Sequence, residues 1–447
     1  MSFSEKVFRD PVHNYVHVNH KIIYQLINTK EFQRLRRIKQ LGTSSFTFHG
    51  AEHSRFSHSL GVYEIARRIT ERFEQKYNSE QMTDGWQAEE TLVTLIAALL
   101  HDIGHGAYSH TFEHLFFTDH ERFTQEIITS DETEVGQLLR QFDPLLPEKV
   151  AAVISHDYPN PQVIGLISSQ IDADRMDYLL RDAYFTGATY GNFDLTRVLR
   201  VIRPHKTGIV FKHSGMHAVE DYIVSRYQMY MQVYFHQASR SMEVILSHLL
   251  KRAKAIFTDN VQYFELTSPK LIPFFQNNFT LLDYLALDDS VLNCYFETWT
   301  THTDIILSDL ADRFINRKVF KSITFKSEAN LEPLIANIRA VGFDTDYYTA
   351  VHSSFDLPYD FYRPKTINPR TEIEMIEPDG TLAELSTLSP IVKALTGVKS
   401  GDTRFFFPKE MITGQNSLFE GEIQAFQAQI INGKLKEASI VEKDGHN

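Results

Sequence analysis

The chain has 447 residues, 43% of them hydrophobic, a formal net charge of −12 and a single cysteine, Cys294. This length and apolar content suit two to three domains or one large helical core. The acidic balance argues against a general nucleic-acid-binding surface and leaves room for a confined phosphate pocket. One cysteine excludes an internal disulfide framework, MSFSEKVFRDPVHNY lacks the apolar run of a signal peptide, and no stretch is long enough to span a membrane. A soluble cytoplasmic protein is expected.

Along the chain, FQRLRRIKQL places Phe32, Leu35, Ile38 and Leu41 three residues apart, on one helix face. Phe56 to Phe73 repeats the pattern through Leu60, Val62, Ile65 and Ile69. Ala88 to Leu100 is apolar on nearly all sides and reads as a buried central helix. It ends at His101-Asp102, just before the helix-breaking Gly104 and Gly106. Further helices are expected over 162–184 and 219–250, the latter rich in Tyr and Met. From about Ser322 short segments alternate with Pro, Gly and Asp, and TEIEMIE has the period of two of a strand. The expected fold class is mainly α, with a helical core over 1–325 and a smaller α+β region over 326–447.

A His-Asp pair is a cheap signal in a chain with 20 histidines, and this chain has two. His156-Asp157 precedes Tyr-Pro-Asn-Pro and reads as a surface loop. His101-Asp102 ends a buried apolar helix, where ionisable groups need partners and a metal is a good one. HDIGHGAYSHTFEH adds His105, His110 and His114, with two glycines that allow close backbone approach. EHSRFSHSLGV brings His53, Arg55 and His58; IDADRMDYLLRD brings Asp172, Asp174, Arg175, Asp177, Arg181 and Asp182. Imidazole and carboxylate ligands suit Zn, Mn, Fe or Ni.

RFSHSLGV, LLHDIGHGAYSH and IDADRMDYLLRD, in this order, resemble the H…HD…D pattern of the HD superfamily of metal-dependent phosphohydrolases. They resemble most its deoxynucleoside triphosphate triphosphohydrolase branch. KVFRDPVHNYV and EFQRLRRIKQLGT extend the likeness to roughly 6–321. The resemblance implies an HD-domain helical core and one divalent metal (Zn, Mn, Fe, Ni or Mg) on His58, His101, Asp102 and Asp174, with Mg accompanying the nucleotide phosphates. It implies hydrolysis of dNTPs to deoxynucleoside and inorganic triphosphate. His105, His110, Glu113 and His120 match catalytic positions, His110 as general acid. Arg55, Arg175 and Arg226 match residues that grip the triphosphate. Tyr178 and Asp182 match residues around the sugar, Gln40 and Leu41 match the pocket edge, and Tyr234 matches a tyrosine that excludes a ribose hydroxyl.

The same resemblance implies an inter-subunit effector site for dGTP, another dNTP or GTP, within a homotetramer. Lys6, Val7, Asn28, Gln33 and Arg36 match it, and Arg317 and Lys321 match its phosphate-gripping residues. Asn28 stands where the family's guanine-reading Asp stands, which puts guanine preference in doubt. Two competing readings are an HD phosphohydrolase of monophosphates or signalling nucleotides, and a nucleotide sensor without turnover. The second needs a broken ligand set, and all four ligands are present.

Overall fold

The structure, a computed structural model, describes residues 3–80, 82–326, 329–356, 372–397, 400–414 and 418–436. The chain divides into two compact units, neither of them one run of sequence. The first comprises Met1–Tyr234, Val261–Tyr295 and Asp356–Ser400; the second comprises Phe235–Asn260, Phe296–Phe355 and Gly401–Asn447. Residue 325, where the sequence places a single boundary, falls inside the second unit. The reason is packing: the helix Gln237–Ile256, which reads as part of the N-terminal core, packs on the helix Ile305–Ile315.

The first unit is mainly α. It opens with an antiparallel hairpin, β1 (Lys6–Asp10) and β2 (Asn14–Val18), whose register pairs Asp10 with Asn14. The helices that carry the site are α1 (Arg55–Lys76), α2 (Glu90–Leu100), α3 (Ser109–Phe116), α4 (His120–Thr129), α5 (Ala173–Thr186) and α6 (Met216–Met229). As its composition predicts, α2 is buried from Val93 to its end at Leu100 and packs on α1. A small sheet in the order Ile202–His205, Gly208–Lys212, Glu374–Ile376, Leu382–Glu384 completes the unit.

Two predicted helices are interrupted. The helix expected over 162–184 is Pro161–Ile167 followed by α5, because the buried Asp172 side chain accepts the Arg175 N–H and starts a new helix. The helix expected over 219–250 runs through α6 into a π-helical turn, Tyr230–Tyr234, and then breaks. The His236 side chain caps the next helix by accepting from the Ala238 N–H. The FQRLRRIKQL stretch is one short helix, Lys30–Arg34, that tightens into a 3₁₀ turn at Leu35–Arg37.

The second unit is α+β. Its sheet runs Ile430–Ile431, Lys434–Leu435, Lys321–Thr324, Ser400–Phe407, Ala350–Asp356. Phe405 and Phe407 join Ile323, Leu334, Ile338, Met411 and Phe426 in a separate small core. Among the described residues, no helix is long and apolar enough to cross a membrane.

Candidate metal centre and active site

Three helices deliver the four predicted metal ligands to one place. His58 lies one turn into α1, His101 is the C-cap of α2 with Asp102 beside it, and Asp174 lies in the first turn of α5. His58 Nε2 is 3.0 Å from Asp174 Oδ1, 3.3 Å from His101 Nε2 and 3.7 Å from Asp102 Oδ2. His101 Nε2 is 3.3 Å from Asp102 Oδ1 and 3.5 Å from Asp174 Oδ1. Ligand bonds of about 2.0–2.2 Å put neighbouring donor atoms about 3.0–3.5 Å apart, so this set fits around one ion.

Both imidazoles are fixed with Nε2 inward. His58 Nδ1 donates to Asp177 Oδ2 at 2.8 Å, and His101 Nδ1 donates to the Ala98 carbonyl at 2.9 Å. A histidine whose far nitrogen is committed to a carboxylate or carbonyl presents its other lone pair to a metal. Burial disfavours a charged His58, yet Asp174 and Asp177 outweigh it and raise the imidazole to about 10. Burial opposes charge on Asp174 too, and the two histidines hold it well below the usual carboxylate range. The cluster is built to keep positive charge among its carboxylates.

Asp177, one acid among several in the sequence motif, stands directly behind the ligands. It is fully buried and takes four hydrogen bonds: His58 Nδ1, His13 Nε2 at 2.6 Å, and Arg181 Nε and Nη2 at 2.8 and 3.0 Å. Arg181 also donates to Asp10 Oδ2 at 2.9 Å, while Asp10 Oδ1 accepts the Val12 and His13 N–H groups. The conspicuous RDPVHNY stretch therefore buttresses the metal site from behind. The spacing held the signal: Asp174, Asp177 and Arg181 stand at i, i+3 and i+7, one face of α5. Gly61 of α1 makes room for this buttress, since a Cβ there would lie 1.9 Å from Asp177 Oδ1 and 2.4 Å from Arg181 Nη2.

Catalytic candidates border the ligands. Arg55 Nη1 donates to Asp102 Oδ2 and its Nη2 to Ser109 Oγ at 3.1 Å. His105 Nε2 lies 3.3 Å from Asp102 Oδ1, and its ring stacks on His120 with centroids 3.9 Å apart. Burial and the neighbouring Arg55 cation push His105 down to about 3, against the pull of Asp102, so it is neutral at physiological pH. Glu113 Oε1 accepts from His120 Nδ1 at 2.9 Å and from the His120 N–H at 3.1 Å. Burial disfavours the His120 cation, but Glu113 outweighs it and raises that imidazole. His105, Glu113 and His120 thus come together; His110 stands at the start of α3, and its side chain lies outside the described residues.

Further along α5, Asp182 accepts from Tyr234 OH at 2.7 Å and from His53 Nε2 at 2.8 Å. Tyr178 and Tyr234 meet edge to face, with ring centroids 6.3 Å apart. Arg226, buried on α6, donates to Gln170 Oε1 at 3.2 Å; Arg175 Nη1 donates to Asp172 Oδ2. Gln40 is fixed by its N–H to the His53 carbonyl at 3.0 Å, and Leu41 packs on the core.

The effector candidates divide between the units. Lys6, Val7, Asn28 and Arg36 are exposed and Gln33 half-buried in the first. Gln33 Oε1 accepts from Arg36 Nε at 2.8 Å, and Asn28 Nδ2 donates to the Tyr24 carbonyl at 2.6 Å. Arg317 and Lys321 are exposed residues of the second unit. In the other His-Asp pair, His156 and Asp157 are both exposed, as a surface loop allows.

A partly buried His-His-Asp-Asp cluster carried by three helices, with a histidine–carboxylate pair beside it, defines a metal-dependent hydrolase of the HD type, and the chain belongs to the HD-domain family. The HD domain matches residues 55–182, and the HD associated region matches 193–269. The uncharacterized protein YwfO of Bacillus subtilis is 52% identical over 411 residues, 91% of this chain and 93% of that protein. The deoxynucleoside triphosphate triphosphohydrolase SAMHD1 of Gallus gallus is 28% identical over 288 residues, 56% of this chain and 46% of that protein. The crystal structure of a phosphohydrolase from Bacteroides thetaiotaomicron matches with a TM-score of 0.79 at 27% identity, covering 91% of this chain and 100% of that one.

Proposed function

We propose that this protein hydrolyses dNTPs to deoxynucleoside and inorganic triphosphate. One observation carries the reading: Asp174, Tyr178 and Asp182 recur every four residues on α5. A single helix face therefore leads from the metal ligands to the Asp182–Tyr234 pair within about 12 Å. That span joins a phosphate-reacting centre to a polar clamp suited to a sugar hydroxyl.

A divalent ion on His58, His101, Asp102 and Asp174 supplies Lewis-acid polarisation of the α-phosphoryl group and activation of water. Arg55, Arg175 and Arg226 hold the triphosphate. His105, being neutral, donates a hydrogen bond to a phosphate oxygen without adding charge. His120, whose cationic form Glu113 favours, stabilises negative charge as the 5′-oxygen leaves, and His110 gives that oxygen its proton. Tyr178 and Asp182 bind the deoxyribose, with Gln40 and Leu41 at the pocket edge. The Tyr234 ring fills the space of a 2′-hydroxyl.

The reading includes activation by a nucleotide held between subunits of a homotetramer in the cytoplasm. Support comes from the exposed Lys6, Val7 and Arg36 with the half-buried Gln33, and from a cavity of about 530 Å³ lined by Tyr24, Gln25, Asn28, Thr29 and residues of the 134–141 stretch. Arg317 and Lys321 grip the effector phosphates. With Asn28 in the guanine-reading position, the effector is dGTP, another dNTP or GTP, without a built-in preference for guanine.

The test is incubation of metal-loaded protein with each dNTP, alone and in pairs, with chromatographic separation of products. Triphosphate with deoxynucleoside is expected, and more of it in nucleotide mixtures. Release of pyrophosphate or monophosphate would overturn the reading.

A further inference from the structure

The loop joining α2 to α3 carries His105 and leads into the helix that bears Glu113. It is gripped from outside by residues 284–293, a stretch that neither the HD domain nor the HD associated region covers. Tyr284 OH donates to the Gly104 carbonyl at 2.8 Å. Arg34 Nη1 donates to the His105 carbonyl at 2.8 Å, and its Nε donates to the Leu287 carbonyl at 3.0 Å. Tyr108 OH donates to Asn293 Oδ1 at 2.7 Å.

At the centre of this grip lies Asp289, 4% exposed. Its Oδ1 accepts the Tyr108 N–H at 2.9 Å and its Oδ2 accepts the Lys39 N–H at 2.8 Å. One carboxylate therefore ties the loop before α3 to the segment that continues into Gln40 and Leu41. The tie matters because the loop is not relaxed. Tyr108 and Ser109 have φ of 49° and 30°, a region that side-chain-bearing residues seldom occupy, and Tyr108 occupies the N-cap of α3 without a side-chain cap. Such a conformation persists only where its surroundings over-determine it. A buried N–H stripped of its acceptor also favours rearrangement.

We propose that Asp289 is a positioning residue of the phosphohydrolase site, holding the His105 loop, and the Glu113 helix that follows it, in register with the Gln40–Leu41 edge of the substrate pocket. The proposal rests on the reading of the site given above. Asp289 touches neither the metal ligands nor substrate; it acts through two backbone N–H groups. Its burial without a full ion pair is consistent with that role. Burial pushes the carboxyl up to about 6, against the two N–H groups and the nearby Lys39 and Arg55 charges. A carboxylate offers two acceptor atoms, whereas an Asn amide offers one and turns a donor toward the other N–H.

The test is Asp289→Asn in the full chain, with three readouts. A dNTP assay should show kcat falling on the order of 10- to 100-fold with KM within about threefold of wild type, as misplacement of a catalytic loop produces. Bound metal per chain should stay at the wild-type level. Amide hydrogen exchange should accelerate in the segments containing Tyr108 and Lys39 and not in α5. Wild-type kcat, or wild-type exchange at both segments, in a folded and metal-loaded variant overturns the proposal. Should Asp289→Asn fail to fold, Asp289→Glu, which keeps two acceptor oxygens but displaces them by one methylene, decides: a smaller fall in kcat with faster exchange at Tyr108 and Lys39 supports the tie, and wild-type kcat with wild-type exchange overturns it. A wild-type protein that cleaves no dNTP removes the proposed function, while the exchange measurement still decides whether Asp289 holds the loop.

Discussion

Gly61→Ala sets two effects of opposite sign against each other. On α1 the substitution should stabilise, since Gly inside a helix costs about 1 kcal/mol relative to Ala. The structure predicts the reverse. The new Cβ would sit 1.9 Å from Asp177 Oδ1, and Cβ contacts below 3.0 Å essentially never occur, so that oxygen must retreat by about 1.1 Å. It has nowhere to go: His13, His58 and both Arg181 nitrogens hold the carboxylate at 2.6 to 3.0 Å. Overpacking costs about 1–3 kcal/mol, and a broken hydrogen bond to a buried charge costs about 1.5–3 kcal/mol. Net of the helix gain, a loss of about 1.5–5 kcal/mol is expected. Because His58 is oriented by the same carboxylate, metal affinity should fall roughly 10- to 100-fold. Denaturant unfolding of the metal-free protein reads the first quantity, and competition against a chelator reads the second. A variant as stable as wild type with unchanged metal affinity would refute the idea that Asp177 is pinned behind the site.

Other outcomes follow from the same geometry. Asp177→Asn leaves Arg181 buried with Asp10 as its carboxylate partner and should cost about 3–5 kcal/mol; a loss under about 1 kcal/mol in chemical unfolding would contradict it. Asp289 gives a pH signature. Its folded carboxyl is raised by burial to about 6 from 3.8, so its contribution to stability is full below about pH 4 and is lost as pH rises through about 6, by about 3 kcal/mol. The stability of wild type relative to Asp289→Asn should fall by that amount between about pH 4 and 7, and a constant difference would rule it out. Tyr234→Ala should raise the kcat/KM ratio of ATP to dATP at least about tenfold by opening space beside Asp182; an unchanged ratio would take Tyr234 out of sugar selection.

The sequence was most legible where chemistry and periodicity coincide. A largely apolar stretch ending in His101-Asp102 announced a buried helix that delivers two candidate metal ligands, and the glycines after it announced a tight loop. Asp172 misled because its N-capping role looks, in sequence, like one more acid in a helical run. The break at Phe235 and His236 was hidden because aromatic residues continue through it, and only packing separates α6 from the helix Gln237–Ile256. Asp177 was in view without a role, since its partner His13 lies 164 residues away, a separation that only the fold closes. Residues 284–293 carry no motif; their importance lies in backbone groups of another loop, which a side-chain pattern does not encode.

In the proposed reaction, water attacks the α-phosphorus of a dNTP at the His58, His101, Asp102 and Asp174 centre. Hydrolysis in ¹⁸O-labelled water, followed by mass spectrometry of both products, tests it most directly. One labelled oxygen is expected in the inorganic triphosphate and none in the deoxynucleoside, with no turnover by Asp174→Asn. Label in the deoxynucleoside, label in a pyrophosphate product, or undiminished turnover by Asp174→Asn would contradict it.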